Sequence, residues 1–94
     1  MTKKEILNFL FLNKNYIKEK FNVKNIYLVG SYARGEEKVT SDIDIMVEMK
    51  PDFDNYFDLK YFLEKKLQKK VDLLLENNIR HLIKKNLEKD KINV

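Results

Sequence analysis

The chain has no cysteine among its 94 residues, which excludes disulfide bonds, thiolate zinc sites and cysteine nucleophiles. It also has no run of about 18 apolar residues of the kind that crosses a membrane. The N-terminal sequence MTKKEILNFLFLNKN is interrupted by charged and amide side chains too early to be a signal peptide. We therefore expect a cytoplasmic protein that does not associate with a membrane.

Arginine is scarce among the basic residues. The chain has 19 Lys and Arg against 15 Asp and Glu, for a formal net charge of +4, but only Arg34 and Arg80 are arginines. No basic run is longer than two residues, so we do not expect an extended surface for DNA or RNA. The mild positive excess could help to attract phosphates, but lysines that solvate helix faces explain it better.

The length of the chain limits its organisation to one domain, over residues 1–94. A domain of this size buries only about two thirds of the surface that its unfolded chain exposes, so it can build one modest core. We find no internal repeat, linker or low-complexity segment.

Three helices are predicted from hydrophobic spacing. Thr2 and Glu5 match a capping box, and the apolar residues that follow predict a first helix from about 3 to 20. The segment NYFDLKYFLEKKLQ is typical of a second helix, for which Asp54 is the capping residue. IRHLIKKNLEKD, residues 79–90, predicts a last helix.

Three strands are predicted between these helices. NIYLVG (25–30) is a short β-rich run that ends in glycine, and SDIDIMVE (41–48) alternates between two faces. KVDLLLE (70–76) is the third strand. The final INV is either a strand fragment or a frayed tail.

Both glycines and the only alanine lie within LVGSYARGEEKVTSDIDIMVE, residues 28–48. Gly30 and Ser31 occur where a strand gives way to a short helix, and free backbone N–H groups at such a turn favour an anion. Glycine and an N-capping serine are also common there for structural reasons. The pair alone does not decide between these interpretations.

Asp42 and Asp44 are two residues apart on the second predicted strand, so both carboxylates lie on one face, with their Cβ atoms about 6 to 7 Å apart. If the carboxylates approach to about 4 Å, they repel by about 4 kcal/mol at an effective dielectric constant near 20. Such a pair needs bulk water or a cation. A solvated polar face of an amphipathic strand explains the spacing equally well.

Asp72 interrupts VDLLL, an apolar run typical of a buried strand, where an unpaired carboxylate would be costly. A hard cation such as Mg²⁺ that shares oxygen ligands with phosphates would stabilise this carboxylate together with Asp42 and Asp44.

The segment GSYARGEEKVTSDIDIMV resembles the signature of the minimal nucleotidyltransferases of the DNA polymerase beta superfamily: glycine-serine, alanine-arginine-glycine, a short variable stretch, then serine-aspartate-x-aspartate and apolar residues. A helix before the motif and a lone aspartate on a later strand, here Asp72, also belong to the pattern, so the resemblance covers nearly the whole chain. It implies the nucleotidyltransferase fold, an α/β (α+β) fold in which helices flank a small mixed β-sheet.

The resemblance also implies roles for the site residues. Gly30 and Ser31 would hold the β- and γ-phosphates of ATP, and Asp42 and Asp44 would hold Mg²⁺. Asp72 would complete the metal site and help to deprotonate the attacking hydroxyl. The reaction would be attack on the α-phosphate, so that a nucleotide is transferred and pyrophosphate leaves.

Three further residues near the motif or later in the chain have competing interpretations. Arg34 either contacts a phosphate of the nucleotide or braces Asp42 or Asp44 through a charge-assisted pair, and bracing is favoured. Lys38 could reach a triphosphate, but a solvated loop lysine explains it better. His81, the only histidine, has no partner at metal-ligand spacing and is expected to be a surface or partly buried residue.

The chain has no additional domain for an acceptor, so something else must bring the acceptor. In the minimal nucleotidyltransferases that it resembles, this is a HEPN-domain protein encoded beside them. The resemblance implies a hetero-oligomeric toxin–antitoxin pair, in which the nucleotidyltransferase silences an RNase toxin by adding AMP to one of its tyrosines.

Two alternatives remain open from the sequence: an antitoxin that neutralises the toxin by binding alone, and a subunit that transfers nucleotide to a small molecule in a two-subunit complex. The three aspartates argue against pure binding, because a binder has no reason to keep a costly cluster of like charges. Aromatic residues on the helices would suit either a docking surface or an ordinary core. They include Phe9, Phe11, Phe53, Tyr56 and Phe57.

Overall fold

The computed structural model describes residues 1–78, 85 and 87–94. In this part of the chain four strands form a sheet: β1 (Val23–Val29), β2 (Ile43–Met49), β3 (Val71–Leu75) and β4 (Ile92–Asn93). The strand order is β3-β2-β1-β4. β1 is antiparallel to β2 and β4, whereas β2 and β3 are parallel. The predicted small mixed sheet is confirmed.

Helices connect the strands and cover the sheet. They are α1 (Lys3–Leu12), α2 (Lys14–Lys20), α3 (Gly30–Arg34) and α4 (Phe53–Leu67), and a 3₁₀ turn at Glu76–Asn78 follows β3. The predicted last helix falls mainly on residues 79–84 and 86, which lie outside the described residues, as do Arg80 and His81. None of the helices in the described ranges is long and apolar enough to cross a membrane.

The predicted capping box opens α1: Thr2 Oγ1 accepts the Glu5 N–H at 3.2 Å, and Glu5 Oε1 accepts the Thr2 N–H at 3.0 Å. The predicted extent of this helix is wrong, because α1 ends at Leu12 and a second helix begins at Lys14. The side-chain amide of Asn13 donates to the carbonyl of Phe9 at 2.8 Å. Asparagine thereby competes for a helical backbone acceptor and favours the break.

The capping residue of α4 is Asp52, and the prediction of Asp54 is wrong. Asp52 Oδ1 accepts the Asn55 N–H at 3.0 Å, and the helix begins at Phe53. Asp54 therefore lies inside the first turn, where its negative charge is favourable near the N-terminus of the helix.

One face of the sheet forms the main core. Ile43, Ile45 and Val47 on β2 are almost completely buried and pack against apolar residues of the helices, such as Ile6 and Leu63. Phe9 and Tyr56 pack against this core and are partly buried. Phe11, Phe53 and Phe57 remain exposed.

The opposite face of the sheet is only partly polar. Met46 lies on the same side of β2 as Asp44 and is fully buried in a second small cluster with Tyr27 and Val29. The side of β2 that carries Asp44 is therefore not a solvated polar face.

The C-terminal INV is a strand rather than a frayed tail. Leu28 is opposite Ile92 and Tyr27 is opposite Asn93, and the Val94 N–H donates to the Ile26 carbonyl at 2.9 Å. This pairing covers the outer edge of β1. β3 is left at the opposite edge of the sheet.

Candidate active site

Three neighbouring strands bring the predicted site residues together. In the register of the sheet, Asp44 on β2 is opposite Val29 on β1 and opposite Asp72 on β3. Gly30 directly follows Val29. Residues that are far apart in the sequence therefore lie side by side at one place in the sheet.

Gly30 lies against the side chain of Asp44. Its φ angle is +75°, a conformation that glycine adopts without a steric penalty. A Cβ atom at this position would lie 2.9 Å from Cγ and 3.0 Å from Cβ of Asp44, and closer still to the carboxylate oxygen Oδ2. Glycine is required here both by the backbone angle and by the close approach.

Ser31 does not cap the short helix that follows. The N-cap position of α3 is Val29, whose backbone is extended, and no side chain makes a capping hydrogen bond there. Within the described part of the chain, the hydroxyl of Ser31 makes no hydrogen bond. The interpretation of Ser31 as an N-cap is therefore wrong, whereas its position beside Gly30 suits a contact with a ligand.

The environment of Asp44 disfavours its charged form. Its pKa is raised from 3.8 to about 6, mainly by burial and then by the charge of Asp72, a hydrogen-bonding contact with Asp72 and the charge of Asp42. The positive charge of Arg34 acts in the opposite direction. The three predicted carboxylates thus interact in the folded chain.

The structure places Asp72 differently from the prediction. Asp72 is exposed on the edge strand β3, so the expectation that its strand buries it is wrong. The sequence pattern was misleading because Val71 and Leu73, the neighbours of Asp72, face the core on the other side of the sheet.

Lys70 is a neighbour of the site that the sequence did not single out. Its Nζ atom lies 3.9 Å from Oδ2 of Asp42, and its carbonyl accepts the Ile43 N–H at 3.0 Å. In the sequence, only its position two residues before Asp72 indicated that Lys70 lies near the site. The pairing of β2 with β3 is what brings it to Asp42.

The carboxylates fit a metal site that a nucleotide completes. Within the described ranges, no three side chains of His, Cys, Asp or Glu are arranged to hold a metal ion by themselves. Mg²⁺ is usually held by one or two carboxylates together with phosphate oxygens and water. Asp42 and Asp44 supply oxygen ligands of that type.

Arg34 has partners other than the predicted ones. Its Nε atom lies 3.0 Å from Oε2 of Glu36, and its Nη1 atom lies 3.7 Å from Oδ2 of Asp90. Among the described residues, neither Asp42 nor Asp44 forms an ion pair with it. The prediction of direct bracing is wrong, although the charge of Arg34 still acts on the pKa of Asp44.

Lys38 is exposed in the loop before β2. Its backbone N–H donates to Ser41 Oγ at 2.8 Å, which is a local loop contact. This arrangement agrees with the interpretation of Lys38 as a solvated loop residue.

Comparison with known sequences gives consistent results. Residues 13–94 match the family described as Nucleotidyltransferase domain. A candidate protein adenylyltransferase of Methanocaldococcus jannaschii is 50% identical over 80 residues, which cover 83% of this chain and 93% of the relative. Protein adenylyltransferase MntA of Thermococcus cleftensis is 33% identical, with 100% of this chain and 97% of MntA covered.

Solved structures show the same fold. A candidate minimal nucleotidyltransferase superposes with a TM-score of 0.86 at 21% identity, covering 100% of this chain and 97% of the other. A toxin–antitoxin structure with AMP-PNP gives a TM-score of 0.71 at 22% identity, and the superposition covers 99% of this chain and 72% of the other chain. The complex of the tri-AMPylated Shewanella oneidensis HEPN toxin with MNT antitoxin gives a TM-score of 0.59 at 26% identity. The superposition covers 87% of this chain and 68% of the other chain.

Proposed function

The chain belongs to the nucleotidyltransferase domain family, and we propose that it transfers AMP from ATP to a tyrosine of a HEPN-domain toxin, with Mg²⁺ as cofactor, as the antitoxin of a toxin–antitoxin pair. The observation that carries this proposal is the juxtaposition of Gly30, Asp44 and Asp72 on three neighbouring strands. A phosphate-binding turn beside a carboxylate cluster is the arrangement that nucleotidyl transfer requires.

Each residue has a role in this scheme. Gly30 and Ser31 bind the β- and γ-phosphates, since a backbone without a side chain allows close approach of phosphate oxygens. Asp42 and Asp44 hold Mg²⁺, which when bound neutralises the charge of the phosphates. Arg34, on the same short helix as Gly30, adds a positive charge to the nucleotide-binding side.

The reaction forms one bond and breaks another. The acceptor hydroxyl oxygen bonds to the α-phosphorus, the bond from that phosphorus to the bridging oxygen breaks, and pyrophosphate leaves. Asp72 takes or positions the proton of the hydroxyl, for which its exposed carboxylate is suited. Its interaction with Asp44 keeps it beside the reacting centre.

The nature of the acceptor is supported by the relatives. MntA of Thermococcus cleftensis is named a protein adenylyltransferase, and the Shewanella oneidensis complex contains an AMPylated HEPN toxin with an MNT antitoxin. Transfer to tyrosine and the use of Mg²⁺ rest on the family resemblance of the motif.

The proposal is tested by following label from ATP. The chain is incubated with Mg²⁺, the HEPN-domain protein encoded beside it and ATP labelled at either the α- or the γ-phosphate. Label from the α-position should enter the partner protein and label from the γ-position should not, and mass spectrometry should locate AMP on a tyrosine. Label in a small molecule, or none in any product, would contradict the proposal.

A further inference from the structure

The strand order separates two sides of the proposed site. The phosphate-binding residue Gly30 follows β1, the metal-binding residue Asp44 lies on β2, and Asp72 lies on β3. In an in-line displacement the attacking and leaving oxygens are on opposite sides of the phosphorus. If pyrophosphate leaves on the β1 side, the acceptor must approach from the β3 side.

A groove of about 560 Å³ lies on that side of the sheet, between α4 and the edge strand β3. It is mostly apolar, and its lining includes Pro51, Phe53, Tyr56, Phe57, Leu73 and Leu75. Phe53 is 78% exposed and Phe57 is 47% exposed, although burial of such side chains is strongly favourable. Their ring centroids are 4.7 Å apart, so the two rings pack together and form one aromatic surface of the groove.

Tyr56 connects this groove to the backbone of β3. Its hydroxyl donates to the carbonyl of Leu73 at 2.6 Å, and Leu73 directly follows Asp72 in β3. Burial raises the pKa of Tyr56, and the charge of Asp72 raises it further. The groove therefore borders the strand that carries Asp72, whose side chain lies on the opposite face of the sheet from Leu73.

The hydrogen-bonding groups at this edge of the sheet indicate how a segment would bind. Glu64 Oε2 accepts the Val71 N–H at 3.0 Å, and Tyr56 donates to the Leu73 carbonyl. Side chains of α4 thus already occupy backbone groups at which an added strand would pair. The groove is suited to burial of side chains rather than to strand addition.

We propose that the acceptor protein docks in this groove, with an apolar side chain inserted between Phe53, Phe57 and Leu75, while the neighbouring hydroxyl passes around the edge of β3 to reach Asp72. The inference rests on the proposed transfer to a protein and specifies where that protein binds. The exposed aromatic residue Phe11 on α1, which is 69% exposed, does not line the groove and has no part in acceptor binding.

The test compares Phe53→Ala with Phe11→Ala, which remove equally large exposed side chains from different surfaces. Steady-state transfer is measured with the HEPN-domain protein as acceptor at saturating Mg·ATP. Phe53→Ala should raise the KM for the acceptor about tenfold or more, since much of the benefit of burying a phenylalanine is lost, while leaving the KM for ATP unchanged. Phe11→Ala should change neither value.

Each other outcome overturns the proposal. A higher acceptor KM in Phe11→Ala but not in Phe53→Ala would place the acceptor on α1, and unchanged values in both variants would place it elsewhere. Thermal unfolding of both variants confirms that they fold. If the unaltered chain transfers no AMP to the partner, the proposed function itself has failed. An active parent with an unaffected Phe53→Ala variant means that only the docking site is wrong.

Discussion

The backbone of Gly30 lies against the carboxylate of Asp44, so closely that an added methyl group would lie 2.9 Å from Asp44 Cγ. The contact joins the proposed phosphate-binding turn to the proposed metal site. Displacement of either residue should therefore disturb the other.

Gly30→Ala should abolish most activity, and Gly35→Ala provides the matched control. Both glycines have positive φ angles, +75° and +73°, but a Cβ atom at Gly35 would meet no atom within 4 Å. Both variants incur the strain of alanine in the left-handed region, about 1 to 2 kcal/mol, and only Gly30→Ala displaces Asp44. AMP transfer should fall about a hundredfold or more in Gly30→Ala and little in Gly35→Ala. Equal losses would show that the contact with Asp44 does not matter.

Asp44→Asn should stabilise the free protein at neutral pH. The folded pKa of about 6 lies above the ordinary value of 3.8, so the folded state holds the proton more tightly and loses stability as pH rises from about 4 to 6. Asparagine cannot ionise. After allowance for solvent screening of a partly exposed group, the gain at pH 7 is on the order of 1 kcal/mol.

The measurement is urea unfolding of the parent and of Asp44→Asn at several pH values. The difference in the free energy of unfolding should be small near pH 4 and reach its full value above pH 6. Asp58→Asn, at an exposed position on α4, is the matched control. A constant difference across this range would mean that the ionisation of Asp44 is not penalised.

Mg·ATP should raise the melting temperature, and more so at pH 7.5 than at pH 5.5. A ligand that binds only the folded state stabilises it by about 2.7 kcal/mol at a hundred times its Kd. Protonation of Asp44 below pH 6 competes with metal binding. Calorimetric scans with ATP, with and without Mg²⁺, measure the effect. Identical melting in all conditions would count against a nucleotide site.

Ser31→Ala should reduce activity about tenfold to a hundredfold without abolishing it. The variant loses one hydrogen bond to a charged phosphate, worth about 1.5 to 3 kcal/mol, but keeps the backbone N–H groups of the turn. Ser31→Thr keeps the hydroxyl and should retain more activity than alanine. Full activity of Ser31→Ala in the label-transfer assay would exclude a role for the hydroxyl.

The variant with both Asp42→Asn and Asp44→Asn distinguishes an enzyme from a binding protein. Asparagine nearly preserves shape, so partner binding should survive, whereas loss of the metal ligands should lower transfer by about a thousandfold or more. The variant should co-purify with the HEPN-domain protein and leave it unmodified by mass spectrometry. Cells that express the pair should remain poisoned.

The control for this experiment removes two charges elsewhere. Asp58→Asn combined with Glu19→Gln changes exposed carboxylates on α4 and α2 and should protect cells as the parent does. If the Asp42/Asp44 variant protects cells equally well, neutralisation occurs by contact alone.

Local chemistry in the sequence was sufficient to predict several features. The capping box at Thr2 and Glu5, the alternation of β2 and the shared face of the aspartates follow from hydrogen-bonding and periodicity rules that act over a few residues. The motif around Gly30 and Ser31 also predicted the family. These features depend on near neighbours in the chain, which the sequence displays directly.

Tertiary structure decided which of these residues meet. Only the parallel pairing of β2 with β3 places Asp72 beside Asp44 and Lys70 beside Asp42, and only the turn after β1 shows why residue 30 must be glycine. The partners of Arg34 and the exposed groove beside β3 likewise arise from contacts between distant segments. Burial and pairing are properties of the assembled sheet, so no local pattern of side chains could fix them.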